Sequence, residues 1–305
     1  MANSKQKHGE YIKYDDTGRI TIIDWYTDGN HDCSLEVSDG EHSYNHGNET
    51  LWQKYTLKDG KPDGDWVLYH SNGQMSIYRN HKNGLRNGIW KSWHDDGSQW
   101  DEQTYSNGKK EGIGRGWRYD EIPDYKGQYK NNKKDGEWIY YYENGEIIES
   151  GKYKNGKKIG TWILRYENGT KRKEIVYDKG EKVKEKIWDD TTGSKVYEGN
   201  YKNGKRHGNV IFWYRNGKIK SSKVYKYGDL NDKYKEYRVT GTKISCGFMS
   251  DNEMNGKWTF WYHNGQKECE LICKNGELVD GKIWDNGGNE KENIRFKHLI
   301  GKEDD

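Results

Sequence analysis

Proline and cysteine are scarce in this sequence: of 305 residues, 2 are Pro and 4 are Cys. Cys33, Cys246, Cys269 and Cys273 are too few and too unevenly spread to form the disulfide framework of a chain this long. Cys269 and Cys273 form a CxxxC pair, but no second pair and no nearby His completes the four ligands of a structural zinc site. The scarcity of proline favours continuous β-pairing, because proline cannot donate to a sheet ladder.

Aliphatic residues are also few, since hydrophobic residues make up only 30% of the chain, against roughly 45–50% in ordinary globular domains. A large close-packed core is therefore not expected. The 14 Trp, 25 Tyr and 38 Gly argue equally against disorder. No segment approaches the ~20 apolar residues of a membrane-spanning helix, and Met1–Glu10 lacks the apolar stretch of a secretory signal. We expect a soluble, cytoplasmic protein.

Glycines recur through the chain with a period of 24 residues, which indicates a repeat architecture. Repeats begin at a Gly that is followed two residues later by an aromatic residue or its replacement, as at Gly64, Gly88, Gly112, Gly136, Gly160, Gly208 and Gly256. A second glycine follows nine residues after most starts, as at Gly145, and a third follows after twenty, as at Gly156. Three columns in phase over more than 200 residues predict about twelve equivalent structural units.

Each repeat has the pattern of one β-hairpin. Glu137–Glu143 is rich in aromatic and β-branched residues, Asn144-Gly145 is a strong hairpin turn, and Glu146–Lys154 is a second strand. Helical periodicity of useful length is absent. The sequence therefore predicts an all-β fold: an elongated, twisted antiparallel sheet of about twelve tandem 24-residue β-hairpin repeats.

The repeat register also predicts the organisation of the chain. Residues 1–8 and 299–305 form terminal tails, and 9–298 form a single array that is regular from residue 64. A degenerate repeat with an insertion occupies 33–63, with the inserted loop expected around Ser38–Asn48.

Two repeats depart from the pattern. In the repeat that begins at 112, Gly114 and Gly116 replace the inner aromatic residues and Pro123 occupies the turn. In the repeat that begins at 184, Lys186 stands where other repeats have Trp. Local irregularity is expected in both repeats.

Alternation along the first strand of each repeat assigns side chains to two faces. Positions two and four residues after the start carry residues such as Trp66, Leu68 and Trp162, and we assign them to a buried inner face. The position five residues after the start lies on the opposite face and forms an outer aromatic column, interrupted by Arg165 and Asp189. Its members are the predicted partner-binding residues Tyr69, Trp93, Trp117, Tyr141, Trp213, Tyr237 and Trp261. A tightly curled sheet that covers both faces stays open as an alternative.

The segment Tyr-Glu-Gly-Asn-Tyr-Lys-Asn-Gly-Lys-Arg-His-Gly at 197–208 resembles the MORN repeat, and 150–160 and 126–136 are weaker copies. The Trp-x-x-x-Tyr-x-Asn-Gly pattern within Gly136–Gly145 is similar to the bacterial variant of that repeat found in antitoxin or immunity proteins. The resemblance spans about residues 9–298. It implies a curved antiparallel sheet that binds other macromolecules, and it also brings phospholipid binding into consideration.

The residues that could form a catalytic site all recur with the repeat, so none of them marks a unique site. The sequence contains no phosphate-binding loop, nucleophile elbow or HExxH motif. His70 and His94 occupy equivalent positions in neighbouring repeats, a spacing that filling of an aromatic column explains as well as a metal site does. We expect no enzymatic activity, no metal and no cofactor.

Charge is segregated along the chain, because residues 152–229 hold 21 basic and 9 acidic side chains while the whole protein carries only +3. This basic segment is predicted to steer an acidic partner surface, although solvated turn lysines explain the same excess. The predicted partner-binding residues of the basic segment are Lys152, Lys157, Lys158, Arg165, Lys171, Arg172, Lys173, Lys205 and Arg206.

We expect a non-enzymatic binding protein, specifically an antitoxin or immunity-type inhibitor that binds a protein partner, such as a toxin or other effector, along its sheet. One alternative is a structural scaffold or an adaptor that touches anionic lipid through the basic segment. A third interpretation, nucleic-acid binding, is disfavoured by the interleaved Glu174, Glu181 and Glu185. The sequence leaves the oligomeric state open.

Overall fold

The computed structural model describes residues 9–14, 20–27, 30–36 and 38–291. Within them, the one helical element is a short 3-10 turn at Tyr119–Glu121, and everything else that is regular is β-strand. No helix in these ranges is long and apolar enough to cross a membrane. The predicted tails at 1–8 and 299–305 lie outside the described residues, as does the end of the predicted array at 292–298.

Consecutive strands pair antiparallel throughout and are joined by short turns, so the predicted all-β fold of hairpin repeats is confirmed. A first sheet holds three strands: β1 (Gly9–Tyr14), β2 (Ile20–Thr27) and β3 (Asn30–Glu36).

The second sheet follows the chain order: β4 (Gly40–Asn45), β5 (Leu51–Lys58), β6 (Lys61–Tyr69), β7 (Met75–Lys82), β8 (Leu85–Arg86), β9 (Gly88–Trp93), β10 (Gln99–Ser106), β11 (Lys109–Trp117), β12 (Pro123–Lys130), β13 (Lys133–Tyr141), β14 (Ile147–Lys154), β15 (Lys157–Arg165), β16 (Lys171–Asp178), β17 (Glu181–Trp188), β18 (Lys195–Lys202), β19 (Lys205–Trp213), β20 (Ile219–Lys226), β21 (Asp229–Tyr237), β22 (Lys243–Ser250), β23 (Glu253–Trp261), β24 (Lys267–Lys274), β25 (Glu277–Trp284) and β26 (Glu290–Lys291).

The chain divides into two compact units, which are described separately below. The N-terminal unit comprises the described residues up to Glu146 together with Tyr153–Gly156, and the C-terminal unit comprises Ile147–Lys152 and the described residues from Lys157 onward. The single array expected over 9–298 stays a prediction.

Turn chemistry explains why the strands reverse where they do. At Asn155-Gly156 both residues have positive φ (49° and 80°), the geometry of a two-residue hairpin turn that Asn and Gly tolerate best. At the opposite end of a hairpin, the Asn144 side-chain oxygen accepts a hydrogen bond from the Glu146 amide at 3.0 Å. Alternating these two turn types gives the 24-residue period its physical basis.

The predicted inner face is confirmed as the core of each unit. In the N-terminal unit Trp66 and Trp138 are 2% and 1% exposed, and in the C-terminal unit Trp162 and Trp258 are 0% and 3% exposed. The indole N–H of Trp162 donates to the Lys152 carbonyl at 3.1 Å, so its polar atom is satisfied inside the core.

Glycine opposite tryptophan is a recurring device of this core. A Cβ on Gly151 would lie 2.3 Å from the Trp162 ring, and one on Gly247 would lie 2.3 Å from the Trp258 ring. Each indole therefore lies flat on a strand that only glycine allows it to approach so closely. Glycine at positions 151 and 247 is therefore a packing requirement.

Two sequence expectations about irregular regions are corrected. The loop expected around Ser38–Asn48 contains strand β4, whose side chains alternate in exposure and which pairs with β5. The repeat that begins at 112 keeps a full strand, β11, paired on both sides. Its Gly116 makes room for a ring from the next strand, because a Cβ there would lie 2.3 Å from Tyr125.

The irregularity expected around Pro123 is found in the preceding turn rather than in the strand. Asp120 and Glu121 both have positive φ there, at 62° and 60°.

The repeat that begins at 184 is shifted by one residue from the sequence register. Strand β17 has 8 residues where β15 has 9, and the following turn is one residue longer, because Gly193 bonds to Asp189 while Gly169 bonds to Tyr166. Glu185, not Lys186, therefore occupies the core position, paired with Ile175 and Gly199. Trp188 takes the outer position that the sequence had given to Asp189.

Candidate partner-binding surface

The predicted aromatic column ends the first strand of each hairpin, and in the N-terminal unit all of its members are half-buried. Tyr69, Trp93 and Trp117 stand directly opposite the first residue of the next strand. We call this line of residues and their opposite partners the outer row. In the N-terminal unit it contains Tyr69, Met75, Trp93, Gln99, Trp117, Pro123 and Tyr141.

In the C-terminal unit the outer row alternates between aromatic and mostly basic residues. Trp213, Tyr237 and Trp261 lie where the sequence predicts them and are half-buried, and Trp188 extends the series. In order across the strands the row contains Arg165, Lys171, Trp188, Lys195, Trp213, Ile219, Tyr237, Lys243, Trp261, Lys267 and Trp284.

Lysines of this row stack on the aromatic ring of the following hairpin. The Lys195 ammonium lies 4.2 Å from the centre of the Trp213 ring, and Lys171 lies 4.7 Å from that of Trp188. Lys243 and Lys267 make the same contact with Trp261 and Trp284 at 5.2 and 5.6 Å. Such cation–π contacts are each worth ~0.5–1 kcal/mol at exposed sites. They order a surface on which apolar rings and positive charges alternate.

Carboxylates on the same face bridge pairs of these cations. Glu198 accepts from Lys184 and Lys195, both at 2.7 Å, and these two bonds lower the pKa of Glu198 to about 2. Glu270 bridges Lys267 and Lys257 at 2.7 and 3.0 Å. Each such group holds two cations and one anion, so the face keeps a net positive charge.

Side chains one hairpin earlier bind the backbone carbonyls of the outer row. The Tyr214 hydroxyl donates to the Tyr237 carbonyl at 2.7 Å, and Arg238 donates to that of Trp261 at 2.9 Å. His70 fills the equivalent place in the N-terminal unit, where its Nε2 lies 3.1 Å from the Trp93 carbonyl. These bonds give His70 a structural role and hold the outer aromatic residues at fixed spacing.

A cavity of about 500 Å³ opens on the outer face of the N-terminal unit beside Trp93. Its lining includes Met75, Tyr78, Ile89 and Lys91. Ile89 is 45% exposed, so the cavity presents apolar surface to solvent next to one predicted binding residue.

The structure does not bring the predicted basic segment together on one surface. Lys158 and Lys173 turn toward the inner side, where they pair with Glu149 at 3.0 Å and Glu185 at 3.5 Å. Arg206 lies over the Tyr197 ring of the inner face at 5.7 Å.

Two of the remaining basic-segment residues, Arg165 and Lys171, lie in the outer row. The exposed ones are Lys152, Lys157, Arg172 and Lys205. Carboxylates pair with several of these lysines, and the segment keeps its excess of basic side chains.

The carboxyl group of Glu185 is the most buried ionisable group of this network, with its side chain 9% exposed. It accepts from the Tyr201 hydroxyl at 2.9 Å and from Lys182 at 3.1 Å. Burial raises the pKa of Glu185, but the bonds from Tyr201 and Lys182 and the charges of Lys182 and Lys173 outweigh it, so the net shift is downward. The group is a core anion whose charge is satisfied by these donors.

Two exposed apolar residues on the outer face were missed by the sequence pattern. Phe248 is 48% exposed and Ile272 is 40% exposed, and each stands directly opposite a lysine, Lys233 and Lys257 respectively. They occupy second strands of their hairpins, whereas the predicted column was sought only on first strands. An exposed Phe in a polar repeat was the available signal.

Three segments of the chain, at residues 134–155, 206–227 and 254–275, match the family described as MORN repeat variant. Each segment covers the two strands of one hairpin and the turn between them: β13 and β14, β19 and β20, or β23 and β24. The chain matches no curated protein sequence.

Solved structures similar to this chain include TcdB2-TccC3 complexes and a Tc holotoxin pore. The crystal structure of TcdB2-TccC3 is 12% identical over 90% of this chain and 15% of that chain, with a TM-score of 0.19. The TcdB2-TccC3-TEV crystal structure is 9% identical over 92% of this chain and 17% of that chain, with a TM-score of 0.21. The Photorhabdus luminescens Tc holotoxin pore is 9% identical over 92% of this chain and 17% of that chain, with a TM-score of 0.19. The chain thus spans less than a fifth of those proteins, and TM-scores at this level say nothing about what it binds.

Proposed function

We propose that this protein, whose repeats are of the MORN variant type, is a non-enzymatic, cytoplasmic binding protein that holds a protein partner along its outer row. One observation carries the proposal: nearly every hairpin of the second sheet presents an aromatic residue at the same outer position, half-buried and fixed in spacing. Tyr and Trp are the residue types most enriched at binding hot spots. The inner Trp residues already fill the core, so the outer aromatic residues are not needed to complete its packing.

The alternation of rings and ammonium groups supports a protein partner over a bare polyanion. Rings such as Trp213 offer large apolar contact area with few rotatable bonds, while lysines such as Lys195 select for acidic side chains on the partner. The carboxylates Glu174, Glu198 and Glu270 between the lysines interrupt any continuous track for phosphates.

Inhibition by occlusion is the mechanism that suits this surface. A partner lying across several hairpins would have its own working surface covered, without chemistry on either side. The repeat variant resembles that of antitoxin and immunity proteins, and this suggests a toxin or other effector as the partner. The proposal names this class and no individual protein.

Affinity capture from the native host tests the proposal. The purified protein should recover one protein in stoichiometric amount, and capture should fall when Trp93 and Trp213 are both changed to Ser. A matched control changes the exposed turn residue Val239, which is 55% exposed, to Ser. Failure to recover any stoichiometric protein, or capture that is insensitive to the double change, contradicts the proposal.

A further inference from the structure

Strands β21 to β25 of the C-terminal unit carry two parallel lines of side chains on the outer face. The first line is the end of the outer row, in which Tyr237, Trp261 and Trp284 alternate with Lys243 and Lys267. The second line contains Lys233, Phe248, Lys257 and Ile272, again alternating between basic and apolar. We call the two lines together the checkerboard.

The two lines are out of phase with each other. First strands β21 and β23 carry an aromatic residue in one line and a lysine in the other, and second strands β22 and β24 carry the reverse. Phe248 therefore shares β22 with Lys243, and Ile272 shares β24 with Lys267. Strand β25 carries Trp284 in the first line and Asp280 opposite Ile272. Across the strands, Phe248 stands opposite Lys233 and Ile272 stands opposite Lys257.

The charge of the checkerboard favours an acidic occupant. Lys233, Lys235 and Lys243 lie on this face, and the last two of its lysines, Lys257 and Lys267, share the carboxylate of Glu270. Those two bonds, the one from Lys267 first, lower the pKa of Glu270, so the carboxylate stays ionised and paired. Phe248 stands opposite Lys233, whereas Ile272 lies between Lys257 and Asp280, so the positive charge is concentrated on the Phe248 side. The exposed apolar surface of both residues suits an aliphatic contact.

Spacing selects the form of the occupant. Equivalent residues of successive hairpins are two strands, or roughly 9.6 Å, apart, and seven residues of an α-helix rise by about 10.5 Å. The two lines are four residues apart on the first strands and five on the second strands, where a bulge takes up one residue. The separation is about 13 Å, which leaves room for a helix about 10–12 Å across. A helix lying across the strands would place residues i and i+7 against successive hairpins.

We propose that the checkerboard binds an amphipathic helix of the partner that carries acidic and aliphatic residues in a heptad pattern. This inference rests on the proposed function and names the element of the partner that is recognised. Aliphatic residues of the helix would contact Phe248, Ile272 and the Trp261 ring. Its carboxylates would pair with Lys243 and the other lysines that flank those rings.

Binding of two synthetic helical peptides to the full chain tests this directly. The first peptide has 28 residues with Glu and Leu repeated on one face at heptad spacing. The second has the same composition, with Glu and Leu distributed around the helix. The heptad peptide should bind at least about tenfold more tightly by titration calorimetry, with affinity that falls as salt screens the charges.

Variants of the chain locate the site. Phe248→Ser with Ile272→Ser should weaken binding of the heptad peptide by about tenfold or more, and Val239→Ser should leave it unchanged. Lys243→Glu should weaken it, whereas Lys179→Glu, the same charge change in the exposed turn between β16 and β17, should have a much smaller effect. Circular dichroism of each variant confirms that it is folded.

Equal binding of the two peptides overturns the inference, as does binding that Phe248→Ser and Ile272→Ser leave intact. Full displacement of the heptad peptide by an equimolar single-stranded DNA, or binding of anionic vesicles at the same residues with higher affinity, also overturns it. Native capture that depends on Trp93 and Trp213 while the heptad peptide fails to bind would reject the helix and leave the proposed function standing.

Discussion

Two hairpins of the C-terminal unit fill the same core position in opposite ways. In β23 the position holds Trp258, 3% exposed, whose indole lies flat against Gly247 and donates to the Phe248 carbonyl at 2.8 Å. In β17 it holds Glu185, 7% exposed, which accepts from Tyr201 and Lys182. Trp258 stands opposite Leu271 on the following strand and lies against Gly247 of the preceding strand, whereas Glu185 stands opposite Gly199 on the following strand and Ile175 on the preceding one.

The difference shows that the repeat constrains geometry more than chemistry. An aromatic ring stabilises the core by burying apolar area. A buried carboxylate instead needs hydrogen-bond donors from the neighbouring strands, and it is stable only while all of those donors are present. The surrounding sequence has adapted to that need, since Lys173, Lys182 and Tyr201 all converge on one anion. The Glu185 hairpin should therefore respond to pH, and the Trp258 hairpin should not.

Truncation of the core ring should give the largest loss of stability. Trp258→Ala removes a fully buried indole and leaves a cavity, so we expect a decrease of ~3–5 kcal/mol in the free energy of unfolding. Urea denaturation followed by circular dichroism measures it. Trp213→Ala, at the half-buried outer position, is the matched control and should cost clearly less. Equal losses would mean that the two faces are not distinct.

A methyl group added beneath the core ring should cost somewhat less. Gly247→Ala places a Cβ 2.3 Å from the Trp258 ring, and overpacking of this kind typically costs ~1–3 kcal/mol. At Gly199 the nearest atom is the Tyr197 hydroxyl, at 2.2 Å, which lies at the far end of a side chain that can move. Gly199→Ala should therefore be milder in the same denaturation assay, and a reversed order would contradict the packing described here.

Removal of the buried charge should change stability in a pH-dependent way. Because the pKa of Glu185 is lowered on folding, its ionised form stabilises the fold at neutral pH. This contribution is lost as the pH falls from the ordinary value of 4.5 through the folded pKa.

Glu185→Gln should therefore lower stability by ~1–3 kcal/mol at pH 7, and the loss should shrink toward pH 3. Glu181→Gln, an exposed carboxylate on the same strand, is the control and should show little change at either pH. A loss that is independent of pH would show that Glu185 acts through packing alone.

The fold and the inner face could be predicted from sequence because both depend on local signals that recur. Gly at fixed offsets sets the turns, and Trp66 or Trp162 falls on the face that alternation assigns. Glu185 was missed because a shorter strand and a longer turn cancel over one period, which leaves the glycine columns in phase while the side chains between them shift. Lys186 then occupied the expected column, although the register places it on the outer face.

The contacts between lysines and aromatic rings in the outer row could not be predicted from the sequence, for a different reason. Lys195 contacts the ring of Trp213, which lies 18 residues later in the chain and on the next strand. The two side chains share a face because the β17–β18 pairing contains a bulge between Ile187 and Trp188. A sequence pattern gives the charge of a segment, but it does not show which residue lies opposite each lysine on the neighbouring strand. The basic segment was consequently treated as one surface, whereas its lysines are divided between both faces.

The cation–π contacts of the outer row should have the smallest effect on stability. Lys195→Gln removes the ammonium over Trp213 and one bond to Glu198, and we expect a loss of about 1 kcal/mol or less, since the site is partly exposed. Lys205→Gln, at the exposed first residue of β19, is the control. Differential scanning calorimetry of both variants measures the change. A loss as large as that of Trp258→Ala would place the outer row in the core.

The central claim is that the inner face stabilises the fold and the outer row binds the partner. The double variant Trp93→Ser/Trp213→Ser tests it most directly, with partner capture and the free energy of unfolding measured on the same preparation. We predict that capture of the native partner is lost while the free energy of unfolding falls by less than it does for Trp258→Ala alone. Retained capture, or unfolding of the double variant together with loss of capture, would contradict the assignment of the outer row to binding.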